Sequence, residues 1–130
     1  MPSKVLKNKR FLVIDDEPAT VEIVKEVLNQ NGAKATGVTN PQNGFGMMAK
    51  ETFDAVILDR YMPPVDGHEV LQQLKGNAQT KDIPVVMLTG ESKESEIKKS
   101  ISLGAAGYIV KPFTPKSFLK QLEIILAPKD

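Results

Sequence analysis

Four short apolar runs punctuate the chain: Phe11-Leu12-Val13-Ile14, Val56-Ile57-Leu58, Val85-Val86-Met87-Leu88 and Tyr108-Ile109-Val110. Each is unbroken rather than alternating with polar residues, the pattern of strands covered on both faces in a parallel sheet. A more polar stretch, Ala35 to Thr39 with Gly37 inside it, suits a sheet edge.

Helical periodicity fills the intervals. The first segment starts at Pro18, gathers Val21, Val24, Val27 and Leu28 on one face and ends near Asn31-Gly32. The second starts at Asn40-Pro41 and groups Phe45, Met48 and Ala49, with Met47 and Met48 as core filler. Gly44 and Gly46 each cost it about 1 kcal/mol of helix propensity relative to Ala, so a short or frayed helix is expected. A third follows Asp66-Gly67, read as a turn and helix cap, with Val70, Leu71 and Leu74 inward and Gly76-Asn77 as its stop. The fourth spans roughly Ser92 to Leu103 on a thin apolar face, chiefly Ile97 and Ile101. In the last, Thr114 caps and Pro115 opens a helix whose Phe118, Leu119, Leu122, Ile125 and Leu126 face the core. Strand and helix alternate five times, and right-handed crossovers then place helices on both faces of a parallel sheet.

Composition narrows the function classes. A chain of 130 residues with 17 Lys+Arg against 16 Asp+Glu carries a formal charge of +1. That fits one globular domain and gives no case for bulk electrostatic binding to nucleic acid or to a membrane surface. Cysteine is absent, which excludes disulfides, thiolate metal sites and cysteine nucleophiles and fits a cytoplasmic protein. No segment approaches a membrane span. The one histidine, His68, rules out a multi-histidine metal site; it falls at a helix start and receives no role.

In open α/β sheets the functional crevice lies beyond the carboxyl ends of the strands, so the residues directly after each apolar run carry the information. Here they are Asp15-Asp16-Glu17, Asp59, Thr89-Gly90 and Lys111-Pro112. Three aspartates gathered at one point repel one another unless a cation sits among them, and magnesium prefers such oxygen donors. That ion and Lys111 together suit the oxygens of a phosphoryl group, with Asp59 as the attacking nucleophile. Read alone, Asp15-Asp16-Glu17 before Pro18 also suits a helix N-terminus, where the macrodipole stabilises negative charge.

The same residues carry a resemblance to the receiver domains of two-component response regulators, the CheY-like family. It runs from about Arg10 to Leu126 and rests on Ile14-Asp15-Asp16-Glu17, Leu58-Asp59-x-x-Met62-Pro63-x-x-Asp66-Gly67, Leu88-Thr89 and Lys111-Pro112-Phe113. The resemblance implies a flavodoxin-like (βα)5 three-layer sandwich with a five-stranded parallel sheet of order 2-1-3-4-5. It divides the chain into a basic N-terminal tail over residues 1–9, a receiver over 10–126 and a C-terminal tail over 127–130. It makes Asp59 the acceptor of a phosphoryl group from a sensor histidine kinase or phosphotransfer protein. Asp15, Asp16, Asp59 and the backbone carbonyl of Tyr61 become magnesium ligands, Asp15 mainly through water. Thr89 and Lys111 become the partners of the phosphoryl oxygens, and Thr89 with Tyr108 the switch. It further implies a cis peptide at Lys111-Pro112 and a downstream effector bound on the face of the fourth helix, fifth strand and fifth helix. Tyr61 stands where the chemotaxis members have asparagine, which implies an altered dephosphorylation rate. Gly90 leaves space beside the site, and Glu91 is placed to meet solvent or a phosphatase.

Competing readings differ at identifiable positions. A magnesium phosphohydrolase with an aspartyl nucleophile typically has a second acid two residues later, where this chain has Tyr61, and a cap domain. A flavin-binding module needs a first loop of phosphate-cradling amides, in place of Asp-Asp-Glu-Pro. A receiver fold that binds partners without phosphorylation, and a receiver excised from a larger response regulator, keep every residue named above. The leading expectation is a single-domain phosphorylation switch, not an enzyme acting on other substrates.

Overall fold

The computed structural model describes residues 3–128. Strands β1 (Arg10–Ile14), β2 (Lys34–Val38), β3 (Ala55–Leu58), β6 (Val85–Thr89) and β7 (Gly107–Val110) form one parallel sheet of order β2-β1-β3-β6-β7. Two further strands, β4 (Tyr61–Met62) and β5 (Val65–Asp66), pair antiparallel in a separate hairpin. Helices α1 (Pro18–Gln30), α2 (Pro41–Lys50), α3 (Gly67–Lys75), α4 (Glu94–Ser102) and α5 (Pro115–Leu126) occupy the crossovers. Setting the hairpin aside, the main sheet has the expected order.

Alternate residues of the central strands feed two cores. Phe11, Val13, Ile57, Val86 and Leu88 meet Val24, Leu28, Phe118 and Leu122 of α1 and α5. Leu12, Ile14, Val56, Leu58, Val85 and Met87 meet Val70, Leu71 and Leu74 of α3, with Phe45, Met47 and Met48 of α2 packed alongside. β1, β3 and β6 are therefore buried on both faces, as their unbroken apolar runs imply. β7 lies at the sheet edge and alternates buried with half-buried residues, so its apolar run does not mean full cover.

Two glycines set how closely the layers approach. A Cβ on Gly37 in the edge strand β2 would stand 2.2 Å from a Val21 methyl of α1. A Cβ on Gly44 would stand 2.7 Å from the Ile14 side chain. Gly44 is thus a packing requirement rather than a break, and α2 is a full ten residues, capped by the Asn40 side chain accepting from the Asn43 amide at 2.8 Å. The expected fraying does not occur. Ala49, grouped with the inward residues by periodicity, is exposed.

Helix α4 corrects the sequence reading more sharply. Ile97 is half-buried and Ile101 is 46% exposed, while Ser100 is the buried residue of the helix. Its hydroxyl lies 2.6 Å from His68 Nε2 of α3, so the histidine that received no role is a buried polar contact between two helices. Helical spacing cannot reveal a face held by hydrogen bonds.

The basic N-terminal segment is not a solvated tail. Leu6 is fully buried in the α1/α5 core, with Val5 packed against it. Ser3 Oγ donates to Glu123 of α5 at 2.7 Å, and the Asn8 amide donates to the Gly32 carbonyl at 2.8 Å. Lysines on both sides of Leu6 hide the residues that dock. At the other end Ala127 and Pro128 are exposed, while the first two and last two residues of the expected tails lie outside the described residues.

Leu6→Ala should therefore destabilise the protein by about 2–4 kcal/mol in chemical denaturation, the cost of emptying a buried leucine site. A free tail would give a change within about 0.5 kcal/mol.

Candidate functional site

The parallel register brings the strand ends to one edge of the sheet. Beyond the strands, the Asp59 amide donates to the Ile14 carbonyl at 3.0 Å and the Lys111 amide to the Thr89 carbonyl at 2.8 Å. These bonds extend the ladder by one residue and fix Asp59 beside the end of β1 and Lys111 beside the end of β6. The Lys111-Pro112 peptide is cis, as the resemblance implied, and so is Pro63-Pro64 in the hairpin.

Asp15, Asp16 and Asp59 converge, with one carboxylate oxygen from each lying within 4.8 Å of the others. Asp15 and Asp59 are buried, at 1% and 5% exposure, whereas Asp16 is open to solvent. Asp15 is oriented by its own turn, Oδ1 accepting from the Glu17 amide at 2.9 Å. The Lys111 ammonium donates to Asp15 Oδ2 at 2.8 Å and stands 3.8 Å from Asp59 Oδ1 and 3.4 Å from Glu17 Oε1. Glu17 is a partner of the lysine that sequence reasoning left unassigned.

The electrostatics show a site short of positive charge. Burial, then the neighbouring Asp15 carboxylate, raise the Asp59 pKa from the usual 3.8 to about 6. Lys111 and the backbone amides of Tyr61 and Arg60 offset only part of that. Burial acts to lower the Lys111 pKa, but the hydrogen bond and charge of Asp15, with the charges of Asp59 and Glu17, outweigh it and raise the value. The ammonium therefore stays charged. Three oxygen donors of one sign, two of them buried, suit a hard divalent cation.

Thr89 ends β6 fully buried, its Oγ1 accepting from the Glu91 amide at 3.4 Å. Half-buried Tyr108 in β7 donates its phenol to the Glu91 carbonyl at 2.7 Å. Burial raises its pKa to about 12, with the Glu91 charge adding to the effect, so the phenol keeps its proton. The two residues expected to form a switch thus meet through the backbone of Glu91 rather than by a hydrogen bond to each other.

Tyr61 opens the hairpin beside Asp59 and is 48% exposed. Asp66, as expected, caps α3 by accepting from the His68 amide at 2.9 Å. A Cβ on Gly67 would stand 2.2 Å from the Asp59 carbonyl oxygen, so only glycine lets α3 start against the loop that carries Asp59. Sequence reasoning passed over Arg60. Its guanidinium is buried between two carboxylates, Asp66 and Glu96, and lies 4.8 Å from the Tyr61 ring centroid. The available signal was a charged residue directly after a buried strand-end aspartate, where alternation turns it toward the opposite layer.

A family model described as the response regulator receiver domain matches residues 11–123. The chain belongs to that family. It is 33% identical over 120 residues to the chemotaxis protein CheY-3 of Vibrio cholerae, covering 92% of each chain. It is 32% identical over 118 residues to the phosphate regulon transcriptional regulatory protein PhoB of Escherichia coli, covering 91% of this chain and 52% of that one. The chain spans about half the length of the first curated relatives it matches. Among solved structures, the chemotaxis response regulator CheY4 of Vibrio cholerae superposes with a TM-score of 0.86 at 28% identity, over 92% of this chain and all of that one. The non-phosphorylated HemR receiver domain of Leptospira biflexa gives 0.84 at 28% identity, over 95% and 98% of the two chains. The fold is the CheY-like, flavodoxin-like sandwich, and receiver domains are signalling proteins rather than classical enzymes.

The Asp59 shift fixes a pH dependence in this receiver without metal. Because the folded-state pKa lies above that of an unfolded aspartate, the favourable contribution of the protonated carboxyl is complete below about pH 4 and lost as pH rises through about 6. Asp59→Asn should therefore be more stable than wild type by on the order of 3 kcal/mol above that window, from about 1.36 kcal/mol per pKa unit. The gain should vanish below it, as read from denaturation midpoints across pH. A constant difference would show that Asp59 does not carry the shift.

Proposed function

We propose that the chain is a phosphorylation switch in which Asp59 accepts a phosphoryl group from the phosphohistidine of a sensor histidine kinase or phosphotransfer protein. The observation that carries this reading is Lys111 Nζ lying 2.8 Å from Asp15 and 3.8 Å from Asp59, at the edge of a three-aspartate cluster. An Asp59 oxygen forms the new bond to phosphorus as the bond to the donor imidazole nitrogen breaks, leaving its electron pair on that nitrogen. With a pKa of about 6, Asp59 is largely ionised at neutral pH and ready to attack. Asp15, Asp16, Asp59 and the Tyr61 carbonyl would hold magnesium, Asp15 mainly through water, and the bound ion would supply positive charge against the phosphoryl oxygens. Lys111 pairs with a phosphoryl oxygen, and the Thr89 hydroxyl donates to another. The protein catalyses only its own phosphorylation and dephosphorylation.

The new group brings about −1.5 to −2 charge and three acceptor oxygens to a buried point. Drawing the Thr89 hydroxyl toward it disturbs the Glu91 amide contact, and Tyr108 is bonded to the same residue. The effect reaches the face of α4, β7 and α5, where an effector protein reads it. Similarity to a chemotaxis protein and to transcriptional regulatory proteins supports a role in signalling, and we assign the readout of this receiver to a partner protein. No helix among the described residues is long and apolar enough to cross a membrane, and we place the switch in the cytoplasm.

Intact-mass spectrometry after incubation with magnesium and acetyl phosphate tests this reading. One phosphoryl adduct is expected on wild type and none on Asp59→Asn or without magnesium. No adduct on folded wild type that binds magnesium would overturn it. In the same assay Tyr61→Asn should change the lifetime of the adduct; an unchanged decay would remove position 61 from the hydrolysis step.

A further inference from the structure

Arg60 follows Asp59 directly, yet its side chain serves the opposite layer. The residue is 7% exposed, and its guanidinium bridges two elements. One nitrogen pairs with Asp66, the cap of α3, and another with Glu96 Oε2 of α4 at 3.1 Å. Its backbone is held as firmly, the carbonyl accepting from the Gly67 amide at 2.7 Å. Burying a cation at 9% side-chain exposure is costly unless it is paired, and two carboxylates meet that condition.

Helix α4 has little else to hold its first two turns. Ile97 is half-buried, Ile101 points outward, and the buried residue is Ser100, bonded to His68 at 2.6 Å. Apolar anchorage comes after the helix, where Leu103 and Ala105 join the second core. The first turn of α4 therefore rests on the Arg60–Glu96 pair and its last turn on Ser100–His68, both reaching residues 60 to 68, the segment just after Asp59.

We propose that Arg60 is a positioning residue, fastening α4 to the loop that carries Asp59 and the Tyr61 carbonyl, so that α4 responds to the state of Asp59. The proposal rests on Asp59 being the acceptor. The route is separate from Thr89 and Tyr108: it runs from the Asp59-Arg60 backbone through one guanidinium to Glu96. Lysine retains the charge but not the fork that reaches two carboxylates.

Hydrogen exchange of residues 94–102, with and without magnesium and acetyl phosphate, tests the clamp in wild type, Arg60→Lys and Glu96→Gln. Adduct formation is quantified by intact mass in the same samples. Wild type should show a phosphorylation-dependent change in α4 exchange, reduced at least threefold in both variants although each takes up the phosphoryl group. A wild-type response in fully phosphorylated variants would overturn the proposal, as would phosphorylated wild type with no α4 response. Loss of phosphorylation in folded Glu96→Gln, whose side chain is not in the acceptor cluster, would support positioning of the loop. Should Arg60→Lys fail to fold, Glu96→Gln decides alone. If wild type takes no adduct, the reading of Asp59 as acceptor fails; the unmodified samples then judge the clamp, severalfold faster α4 exchange in the variants supporting it and equal exchange overturning it.

Discussion

Two carboxylates withdrawn from water beside a single ammonium are the constraint on which this molecule turns. Asp15 and Asp59 are almost fully buried, and Lys111 reaches both while also meeting Glu17. An apolar interior would exclude such a group, since unpaired buried charge costs several kcal/mol per ion. The pair survives because neighbouring parallel strands end at one edge, where backbone amides and a lysine come from separate segments. The cost appears in Asp59, whose pKa is raised first by its burial and then by the neighbouring Asp15 charge. A local departure from the most stable arrangement is expected where chemistry is done.

The rest of the fold serves to hold those ends in register. Buried β1, β3 and β6 tolerate no slip, because a shift of one residue would exchange the two cores. Gly67 lets α3 begin against the Asp59 carbonyl, and Gly37 and Gly44 let α1 and α2 close on the sheet. Rigidity is thus concentrated under Asp59. The short hairpin β4/β5 meets the same need: it carries the chain from Asp59 to the Asp66 cap while keeping Tyr61 at the mouth of the site.

Much of this was legible in the sequence because it depends on periodicity and on the residues placed directly after each apolar run. The five main strands, the inward residues of α1 and α3, and the meeting of Asp15, Asp16, Asp59 and Lys111 are encoded in those two signals, whereas the order of the strands follows from the family resemblance. What escaped was held by contacts that periodicity does not encode. Leu6 looked like part of a charged tail because docking one leucine leaves no repeating pattern. Gly44 looked like a helix breaker because its value lies in the Ile14 side chain opposite. Ile101 looked inward because the true inner residue of α4, Ser100, is polar and satisfied by a histidine from another helix. Arg60 fell on an unspecified position within the motif that begins at Leu58-Asp59.

Two of these omissions, Ser100 and Arg60, share a physical cause, and it bears on how a switch is built from a rigid sheet. Apolar packing resists continuous deformation because interiors are close-packed. Polar contacts between elements are different: a hydrogen bond or ion pair can exchange one partner for another of similar energy, especially near solvent. In this receiver the sheet edge that carries Asp59 is backed by apolar layers, whereas α4 meets its neighbours through Arg60–Glu96 and His68–Ser100, and Tyr108 meets the loop before α4 through Glu91. Under the proposed function, added charge at Asp59 would meet an unyielding sheet on one side and exchangeable contacts on the other. Movement would take the exchangeable side, which makes the helix with the weakest apolar signature in the sequence the one best placed to carry the proposed signal.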